Sequence, residues 1–525
     1  MRNKANTAAA MSLVVLSSIL MLCVAPAAAQ SIRSKPIVIR EAQHDVSPML
    51  GEMLKGANVQ ELAVAPVGTT AGVNFDGIAP GIENGTSNPD VNGSVGPTQY
   101  VQWQNTIGGV TGSTSTGQVA VWNKSGTLTM GPFQEKALWR NFAGPCSTSL
   151  SLQNIVEYDK AANVWVFVRH VYPTTAPNYL CFAVSQGSSV TPTTKFNRYA
   201  YALSSDQMDY PRLGIWPDAF YMSFNLLTET NPHTFINPMV CAFDRNGMIA
   251  GTANPVSVCF TPSTKLSTLL PSDLDGATPP PVGSPNYYLN LDTNSVDLWQ
   301  FHVDFTTPTN STFTGPTNIL VPPFLQACSG RKGVCVPQLG TGTGGVGYLS
   351  SWSDRLMSRL AYRNFGDHES LLASHTVNPL STAYAAIRWY EIRSPGTTPV
   401  VYQASTWQPD GTSRWLMSMA MDKVGDIAVG YSESSSTQYP AIAYTGQVPT
   451  DPLNTLESPE NIVSPACPAG QACNQVYNPS WGTYSSMSVD PVDDCTFWYT
   501  NQYYIQQGSK IWNTRIASFK FPSCQ

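Results

Sequence analysis

The sequence has little charge for its length: Lys, Arg, Asp and Glu make up only 12% of its 525 residues. The formal net charge of −6 gives no basic surface, which argues against nucleic acid as a partner. No C-x-x-C pair occurs, and the six His residues do not cluster beside the cysteines, which argues against a zinc site. The G-x-S-x-G and G-x-x-x-x-G-K-[ST] motifs are also absent, so neither an α/β-hydrolase nor a P-loop protein is expected.

Long apolar runs are scarce as well, and the clearest one, Met11–Val24, is interrupted at Ser17 and Ser18. Basic residues precede this run and a stretch of alanines follows it. This arrangement predicts a signal peptide over residues 1–29, cleaved near Ala29. We therefore expect a secreted protein, extracellular or periplasmic, without membrane insertion.

Ten cysteines remain after the predicted signal peptide. An even number in an oxidising compartment predicts five disulfides. Short loops are the easiest to close, so we predict pairing between sequence neighbours. The predicted pairs are Cys146–Cys181, Cys241–Cys259, Cys328–Cys335, Cys467–Cys473 and Cys495–Cys524.

One pattern recurs seven times: a turn rich in Pro, Asp, Gly or Asn, followed at once by an aromatic or β-branched run. These runs begin at Tyr100, Val164, Phe220, Tyr287, Ser370, Ile427 and Phe497. Further short alternating runs flank each of them, which predicts small antiparallel sheets of three or four strands. One such sheet cannot bury both of its faces, but several stacked around an axis can.

We therefore predict an all-β fold, a seven-bladed β-propeller over residues 86–525. Six or eight blades are alternatives, because the long interval from Tyr287 to Ser370 has room for another blade. Two or three β-sandwiches in series would lack the fixed order of strands and turns. Residues 30–85 are predicted to form an N-terminal extension with a short helix within Pro48–Ala63. Its run Ile37–Ile39 is expected to complete the final blade.

Several segments resemble a family of large secreted bacterial proteins of unassigned function. They include DYPRLGIWPDAFYMSFN, SDRLMSRLAYRNFGDHESLLASHTVN, MAMDKVGDIAVGYS and MSVDPVDDCTFWYTNQYY. The resemblance extends from about residue 80 to the C-terminus. It implies export and a repeated β fold, and no catalytic residue. The blade layout is more distantly similar to sialidase-like propellers, although the S-x-D-x-G-x-x-W turn of many sialidase blades is absent.

In a propeller the first strand of each blade begins beside the central axis, so residues at these positions face a common funnel. Paired acids there suit general acid and base chemistry on a glycosidic bond, and we predict this role for Asp209, Asp354 and Glu369. Arginines bind carboxylates bidentately, which favours an acidic sugar. The predicted substrate-binding residues are Arg212, Arg355, Arg359, Arg414, Trp481 and Tyr484. The alternative is that these arginines and acids pair with one another between blades.

The densest titratable group in the sequence is Asp367-His368-Glu369. His368 beside two acids suits a general base, including one for polysaccharide elimination, so it is predicted as catalytic. H-E-x-x-H is excluded as a zinc signature, because Leu372 stands at its last position.

The segment containing Asn88, Asp90 and Asn92 has the opening spacing of an oxygen-ligand calcium loop. Gln99 occupies the twelfth position, so the segment is not an EF-hand. The same residues are also good turn formers. Calcium is the one candidate cofactor.

Together these features predict a secreted propeller that acts on or binds an extracellular polysaccharide or other glycan through its axial funnel. If it is an enzyme, a glycoside hydrolase or a polysaccharide lyase is expected. The alternative is a non-catalytic surface or matrix scaffold, stabilised by disulfides and calcium. The sequence leaves both hypotheses open.

Overall fold

A computed structural model describes residues 34–54, 72–79, 88–107, 115–230, 232–263, 267–329, 333–379, 385–477, 479–481, 485–508 and 511–525. The predicted signal peptide, the end of the predicted helix after residue 54, and Tyr484 lie outside these residues. Helices in the described part are α1 (Leu50–Met53), α2 (Pro145–Thr148) and α3 (Arg245–Ala250), with 3-10 turns at Glu135–Trp139, Pro308–Asn310 and Ala327–Ser329. Over the same residues, no helix has the length and apolar character to cross a membrane.

Strands dominate the structure. The first are β1 (Ile37–Arg40), β2 (Gln43–Val46), β3 (Asn74–Asp76), β4 (Asn92–Val95), β5 (Gln99–Ile107), β6 (Ser115–Asn123), β7 (Leu128–Gln134), β8 (Leu150–Ser151), β9 (Ile155–Asp159), β10 (Val164–Tyr172), β11 (Asn178–Ser185) and β12 (Phe196–Ser204). Next are β13 (Gln207–Ile215), β14 (Ala219–Leu227), β15 (Phe235–Asp244), β16 (Val256–Phe260), β17 (Leu270–Asp275), β18 (Asn286–Asp292), β19 (Ser295–His302), β20 (Thr312–Leu320), β21 (Leu325–Gln326), β22 (Val334–Val336) and β23 (Leu349–Ser350). The last are β24 (Leu360–Asn364), β25 (Glu369–Asn378), β26 (Ala386–Arg393), β27 (Val400–Trp407), β28 (Ser413–Met421), β29 (Ile427–Ser435), β30 (Gln438–Gln447), β31 (Glu460–Val463), β32 (Ser486–Val489), β33 (Phe497–Tyr503) and β34 (Asn513–Phe519).

The strands pair into antiparallel units that repeat one order, with the first strand of each unit innermost. The units are A (β4 to β7), B (β9 to β12, with β2 outermost), C (β13 to β16, with β1 outermost), D (β17 to β20), E (β24 to β27), F (β28 to β31) and G (β32 to β34, with β3 outermost). The innermost strands contact one another in the order β4, β9, β13, β17, β24, β28 and β32, and β32 contacts β4 again.

The innermost strands run in the same direction. Strands β17 and β24 pair in parallel. Between β4 and β9, the backbone N–H groups of Val156 and Tyr158 donate to the side chains of Asn92 and Ser94, which is also a parallel alignment. Sheets arranged this way around an axis form a β-propeller, so the all-β propeller prediction is confirmed. We call the end where the innermost strands begin the upper face, and the opposite end the lower face.

The core lies between neighbouring units and is rich in aromatic rings. Trp103 of unit A packs against Phe167 of unit B, with ring centroids 5.7 Å apart. Tyr221 of unit C packs edge-on against Phe301 of unit D at 5.2 Å. Each sheet therefore buries its faces against its neighbours, which is the burial that the repeat requires.

The predicted role of Ile37–Ile39 in the final unit is wrong. This run belongs to β1, which pairs with β16 at the outer edge of unit C. Strand β3 pairs with β34 instead and so adds an N-terminal strand to the last unit. The reason is burial: Phe75 of β3 is 8% exposed and packs against Trp122, whereas Ile37 and Val38 are more than 40% exposed.

The interval between units D and E contains short strands in its described part. Strand β21 pairs with the end of β25, and β22 pairs with β23. This insertion lies on the upper face, where Gln338 donates to Gln475 of the segment before unit G. All five predicted disulfides are confirmed, with Cys328–Cys335 inside the insertion.

Candidate functional site

The candidate site lies on the upper face, around the starts of the innermost strands. Asp90 precedes β4, Gln153 precedes β9, Asp209 lies near the start of β13, and Arg355 precedes β24. Residues that are far apart in sequence are thus brought together from units A, B, C and E.

Asp209 is held by a hydrogen bond across the boundary between units B and C. Gln153 Nε2 donates to Asp209 Oδ1 at 2.9 Å, and Gln153 Oε1 accepts from the backbone N–H of Tyr210 at 2.9 Å. One amide therefore orients both the carboxylate and the backbone beside it. Asp209 itself is half-buried.

Two side chains of β10 face this carboxylate. Burial raises the pKa of Tyr172 well above its usual value, and the negative charges of Asp209 and Asp90 add to the rise. Burial also lowers the pKa of His170 to about 3, against the opposing effect of Asp209. His170 is therefore neutral, and both of its buried ring nitrogens lack a hydrogen-bond partner in the described structure. Its ring lies 4.2 Å from that of Tyr172.

A bulge in β13 places Tyr210 in the site. The pairing of β13 with β14 shifts between Asp209 and Arg212, and Tyr210 has a φ of 58°. A non-glycine residue in this region costs on the order of 1–3 kcal/mol, which the surrounding contacts must offset. The guanidinium of Arg212 lies 3.5 Å from the centre of the Tyr210 ring, and that of Arg355 lies 4.5 Å from it.

Arg355 interacts with two acids, Asp354 and Asp209. It donates two hydrogen bonds of 2.9 Å to the carboxylate of Asp354. Burial disfavours its charged form, but the hydrogen bonds to Asp354 and the charge of Asp209 hold the Arg355 pKa above its usual value. We call Asp90, Gln153, Asp209, Tyr210 and Arg355 the axial cluster.

Arg359 was predicted to bind substrate, and it lies deeper in the axis within an ion-pair network. It donates to Asp273 at 2.7 Å and to both carboxylate oxygens of Asp275 at 2.9 and 2.7 Å. Lys160 also pairs with Asp275, at 2.5 Å. These contacts join units B, D and E. This is the alternative given by the sequence, in which arginines and acids pair with one another between blades.

Arg414 and Trp481, which were also predicted to bind substrate, lie near the upper ends of units F and G. Both contact other side chains of the protein there. Arg414 donates two hydrogen bonds of 2.8 Å to Asp410. Trp481 is fully buried, stacks on Tyr504 at 5.1 Å and donates to Ser432 at 3.2 Å. Protein side chains therefore surround its indole ring.

His368 and Glu369 lie on the lower face, because they follow the turn at the end of β24. His368 contacts Asp367 at 2.8 Å and stacks on Phe365. Glu369 accepts a hydrogen bond of 2.6 Å from Tyr362. The structure does not bring this pair together with Asp209 and Asp354.

The residues of the predicted calcium loop have structural contacts. Asp90 Oδ2 accepts from Asn105 Nδ2 at 2.6 Å, and Asn92 Oδ1 accepts from the backbone N–H of Val156 at 2.6 Å. Asn88 is half-buried. In the described ranges, the one group of His, Cys, Asp and Glu close enough to hold a metal is Asp422 with Cys495 and Cys524. Those two cysteines form a disulfide, so they offer no thiolate.

A cavity of about 370 Å³ opens on the lower face. Its lining includes Lys160 and Arg245. Both cations pair with acids, because Lys160 contacts Asp275 and Arg245 donates two hydrogen bonds to Asp159. The charges of this cavity are therefore balanced within the protein.

Sequence reasoning missed Gln153, His170 and Tyr172. The two β10 residues are separated by one position, so they project from the same face of their strand. This spacing was readable in the sequence, but the pairing of Gln153 with Asp209 joins different units and could not be read from it.

Together the residues of the axial cluster offer carboxylate acceptors, an amide and a guanidinium, which are the groups that bind a hydroxyl-rich ligand.

No protein-family model and no curated protein matches the sequence. Similar solved structures include the α-L-arabinofuranosidase from Fusarium graminearum, with a TM-score of 0.37, 6% identity, and coverage of 86% of this chain and 99% of that one. A GH43 glycoside hydrolase with engineered endo-xylanase and exo-arabinofuranosidase activity has a TM-score of 0.28, 7% identity, and coverage of 84% and 96%. A mutant of the Cellvibrio cellulosa α-L-arabinanase has a TM-score of 0.27, 9% identity, and coverage of 70% and 96%. These low values transfer no activity to this chain.

Proposed function

We propose that the protein is a secreted, seven-bladed propeller that binds or acts on an extracellular carbohydrate at the upper face of its axis. Units A to G, with innermost strands in contact from β4 round to β32, support this blade number. The five disulfides support an oxidising compartment outside the cytoplasm.

The observation that carries the proposal is the position of Asp209. Its carboxylate is oriented by Gln153 of the neighbouring unit and lies within the electrostatic reach of Arg355 and Tyr172. Hydrogen bonds to charged groups are the stronger ones, so a preoriented carboxylate suits the hydroxyl groups of a sugar. Arg355 binds Asp354 through Nε and Nη2, and its buried Nη1 has no hydrogen-bond partner in the described structure, which leaves this N–H group as a donor for a sugar oxygen.

Catalysis is the more specific form of this proposal. Asp209 of unit C and Asp354 of unit E both interact with Arg355, one electrostatically and the other by paired hydrogen bonds. Two carboxyl groups flanking a ligand can serve as general acid and base or nucleophile on a glycosidic bond. The position of His368 and Glu369 on the other face argues against their joining this chemistry.

A non-catalytic scaffold is the second candidate, and the ion pairs in the axis favour it. Arg359 binds two aspartates of unit D, and Arg363 donates two hydrogen bonds to Asp494, which lies beyond β32 in unit G. Such contacts hold units together without any ligand.

A glycan array probed with the purified protein tests the proposal. The retained glycan is then titrated against the parent, Asp209→Asn and Arg355→Ala, with Asp367→Asn on the lower face as control. We expect affinity to fall about 10- to 100-fold for the first two variants and to stay unchanged for the control.

Release of reducing sugar separates the two forms of the proposal. Turnover that is lost in Asp209→Asn supports catalysis, whereas retention without turnover supports binding alone. If the parent retains no glycan, the carbohydrate proposal fails and the scaffold interpretation replaces it.

A further inference from the structure

A cavity of about 450 Å³ lies on the upper face, where units D and E meet. The turn between β18 and β19 forms one wall, and the end of β25 with the insertion at β21 forms the other. Its lining includes Asp292, Asn294, Phe324, Gln326 and Asn378. Its volume lies within the range of small-molecule sites.

The lining combines a carboxylate, amides and one aromatic ring, without Lys or Arg. Amides both donate and accept hydrogen bonds, as paired hydroxyl groups do. The buried Oδ1 of Asn378 has no hydrogen-bond partner in the described structure, so protein contacts do not use it. A cavity of this composition suits an uncharged, hydroxyl-rich ring, with its apolar face against Phe324.

Phe324 is held in place by the residues behind it. Its ring meets that of His375 edge-on at 4.6 Å, and His375 stacks on Tyr390 and shares a hydrogen bond of 2.8 Å with its hydroxyl. Burial, aided by the charge of Arg388, lowers the His375 pKa to about 3, so this support stays neutral at physiological pH.

The segment that carries Phe324 is anchored on both sides. Arg388 Nη2 donates to the carbonyl of Pro322 at 3.3 Å, and Leu325 pairs with Asn378 between β21 and β25. A binding surface that is ordered before the ligand arrives loses less entropy on binding. The cavity wall is therefore preorganised.

The cavity and the axial cluster belong to the same face. The backbone N–H of Met357, two residues after Arg355, donates to the carbonyl of Ser374 in β25, whose end lines the cavity. Two strand spacings of about 4.8 Å, roughly 10 Å, separate β17 from β19. A ligand that fills the cavity beside β19 and also reaches the innermost strands therefore extends over about two strand spacings, as an oligosaccharide does.

We propose that this cavity is a second glycan subsite, which binds an uncharged sugar residue of the same chain whose other residues occupy the axial cluster. The inference rests on the proposed function. It adds that the ligand is an oligosaccharide or polysaccharide with neutral residues, and that Phe324 provides the stacking surface.

Calorimetric titration with xylo- and cello-oligosaccharides of one to six residues tests this subsite. The parent is expected to bind longer oligomers more tightly than single sugars. In Phe324→Ala, affinity for the longer oligomers falls about five- to tenfold, whereas Phe324→Tyr keeps it. Phe365→Ala is the matched control, because Phe365 also packs on a histidine, His368, but on the lower face.

The outcomes separate the two proposals. If longer oligomers bind more tightly than single sugars and Phe324→Ala does not change this, the subsite proposal is overturned. The proposal of carbohydrate binding at the axial cluster then still stands. The same holds if the parent retains an array glycan through Asp209 but binds none of these neutral oligomers. If the array retains no glycan at all, both proposals fail. Thermal melts of each variant exclude unfolding as the cause of a loss.

Discussion

Glu157 shows how one side chain depends on its neighbours in the axis. It is half-buried by surface area but lies midway along β9, enclosed by the innermost strands. Burial raises its pKa to about 8, and the negative charge of Asp273 adds to the rise, while Arg359 opposes it. A neutral Glu157 leaves two cations, Arg359 and Lys160, to balance Asp273 and Asp275.

This raised pKa makes stability depend on pH. The folded state holds the Glu157 proton more tightly than the unfolded chain, whose glutamates titrate near 4.5. The contribution of Glu157 is therefore complete below about pH 4.5 and is lost as the pH rises through about 8. Relative to Glu157→Gln, we expect the Tm of the parent to fall by about 2–4 °C between pH 5 and 8.

Differential scanning calorimetry across this pH range measures the effect. Glu229→Gln, at an exposed position, is the control and should follow the parent. Parallel curves for the parent and Glu157→Gln would show that Glu157 is ionised in the folded protein at neutral pH.

Strand β3 is the element that ties the N-terminal region to the last unit. Asn74 pairs with Ala517 and Phe75 with Ile516 along β34. The carbonyl of Ile462 accepts from Asn74 Nδ2 at 2.9 Å, which also connects β3 to unit F. Stability of the ring should therefore be sensitive to this short strand.

We expect Phe75→Ala to lower the free energy of unfolding by about 3 kcal/mol, because it removes a buried ring that packs against Trp122. Leu320→Ala serves as a control at a position that is 79% exposed, and should change it by less than about 0.5 kcal/mol. Urea unfolding followed by circular dichroism measures both. If Phe75→Ala lowered the free energy of unfolding as little as Leu320→Ala does, β3 would not contribute to the cooperative unit.

Single elements also show where sequence reasoning succeeded. The runs beginning at Val164, Ile427 and Phe497 start strands β10, β29 and β33 at those residues. A turn followed by alternating residues is a local signal, so these strands could be predicted. Which strand completes the last unit depends on contacts across more than 400 residues, and β3 was therefore missed.

At the scale of the whole molecule, five disulfides restrain the unfolded chain. Cys146–Cys181 spans 35 residues, whereas Cys467–Cys473 spans 6. Closing the longer loop removes more entropy from the unfolded state. The two disulfides should therefore differ in their contribution to stability.

Replacing both cysteines of a pair with alanine tests this difference. Loss of Cys146–Cys181 should lower the free energy of unfolding by about 4 kcal/mol, and loss of Cys467–Cys473 by about 2 kcal/mol. Urea titration under non-reducing conditions compares the two variants with the parent. A larger loss for the shorter loop would contradict the entropic explanation.

The candidate site was predictable in part. Asp209 and Arg355 were selected because innermost strands of a propeller begin at a common axis, and the structure places both in the axial cluster. The same reasoning selected Arg359, which instead binds Asp273 from 86 residues away. Nothing local distinguishes an arginine that faces a ligand from one that pairs with another unit.

The sequence by itself determined the all-β character, the repeat and the disulfide pairs, because alternation, turns and short loops are local properties. Only the tertiary structure decided which charged groups share a face. His368 and Asp209 are both titratable residues next to predicted strands, yet they lie at opposite ends of the axis. Asp209 lies near the start of an innermost strand, whereas His368 follows the end of one. The direction of the strands around the axis, which no local pattern records, assigns each group to its face.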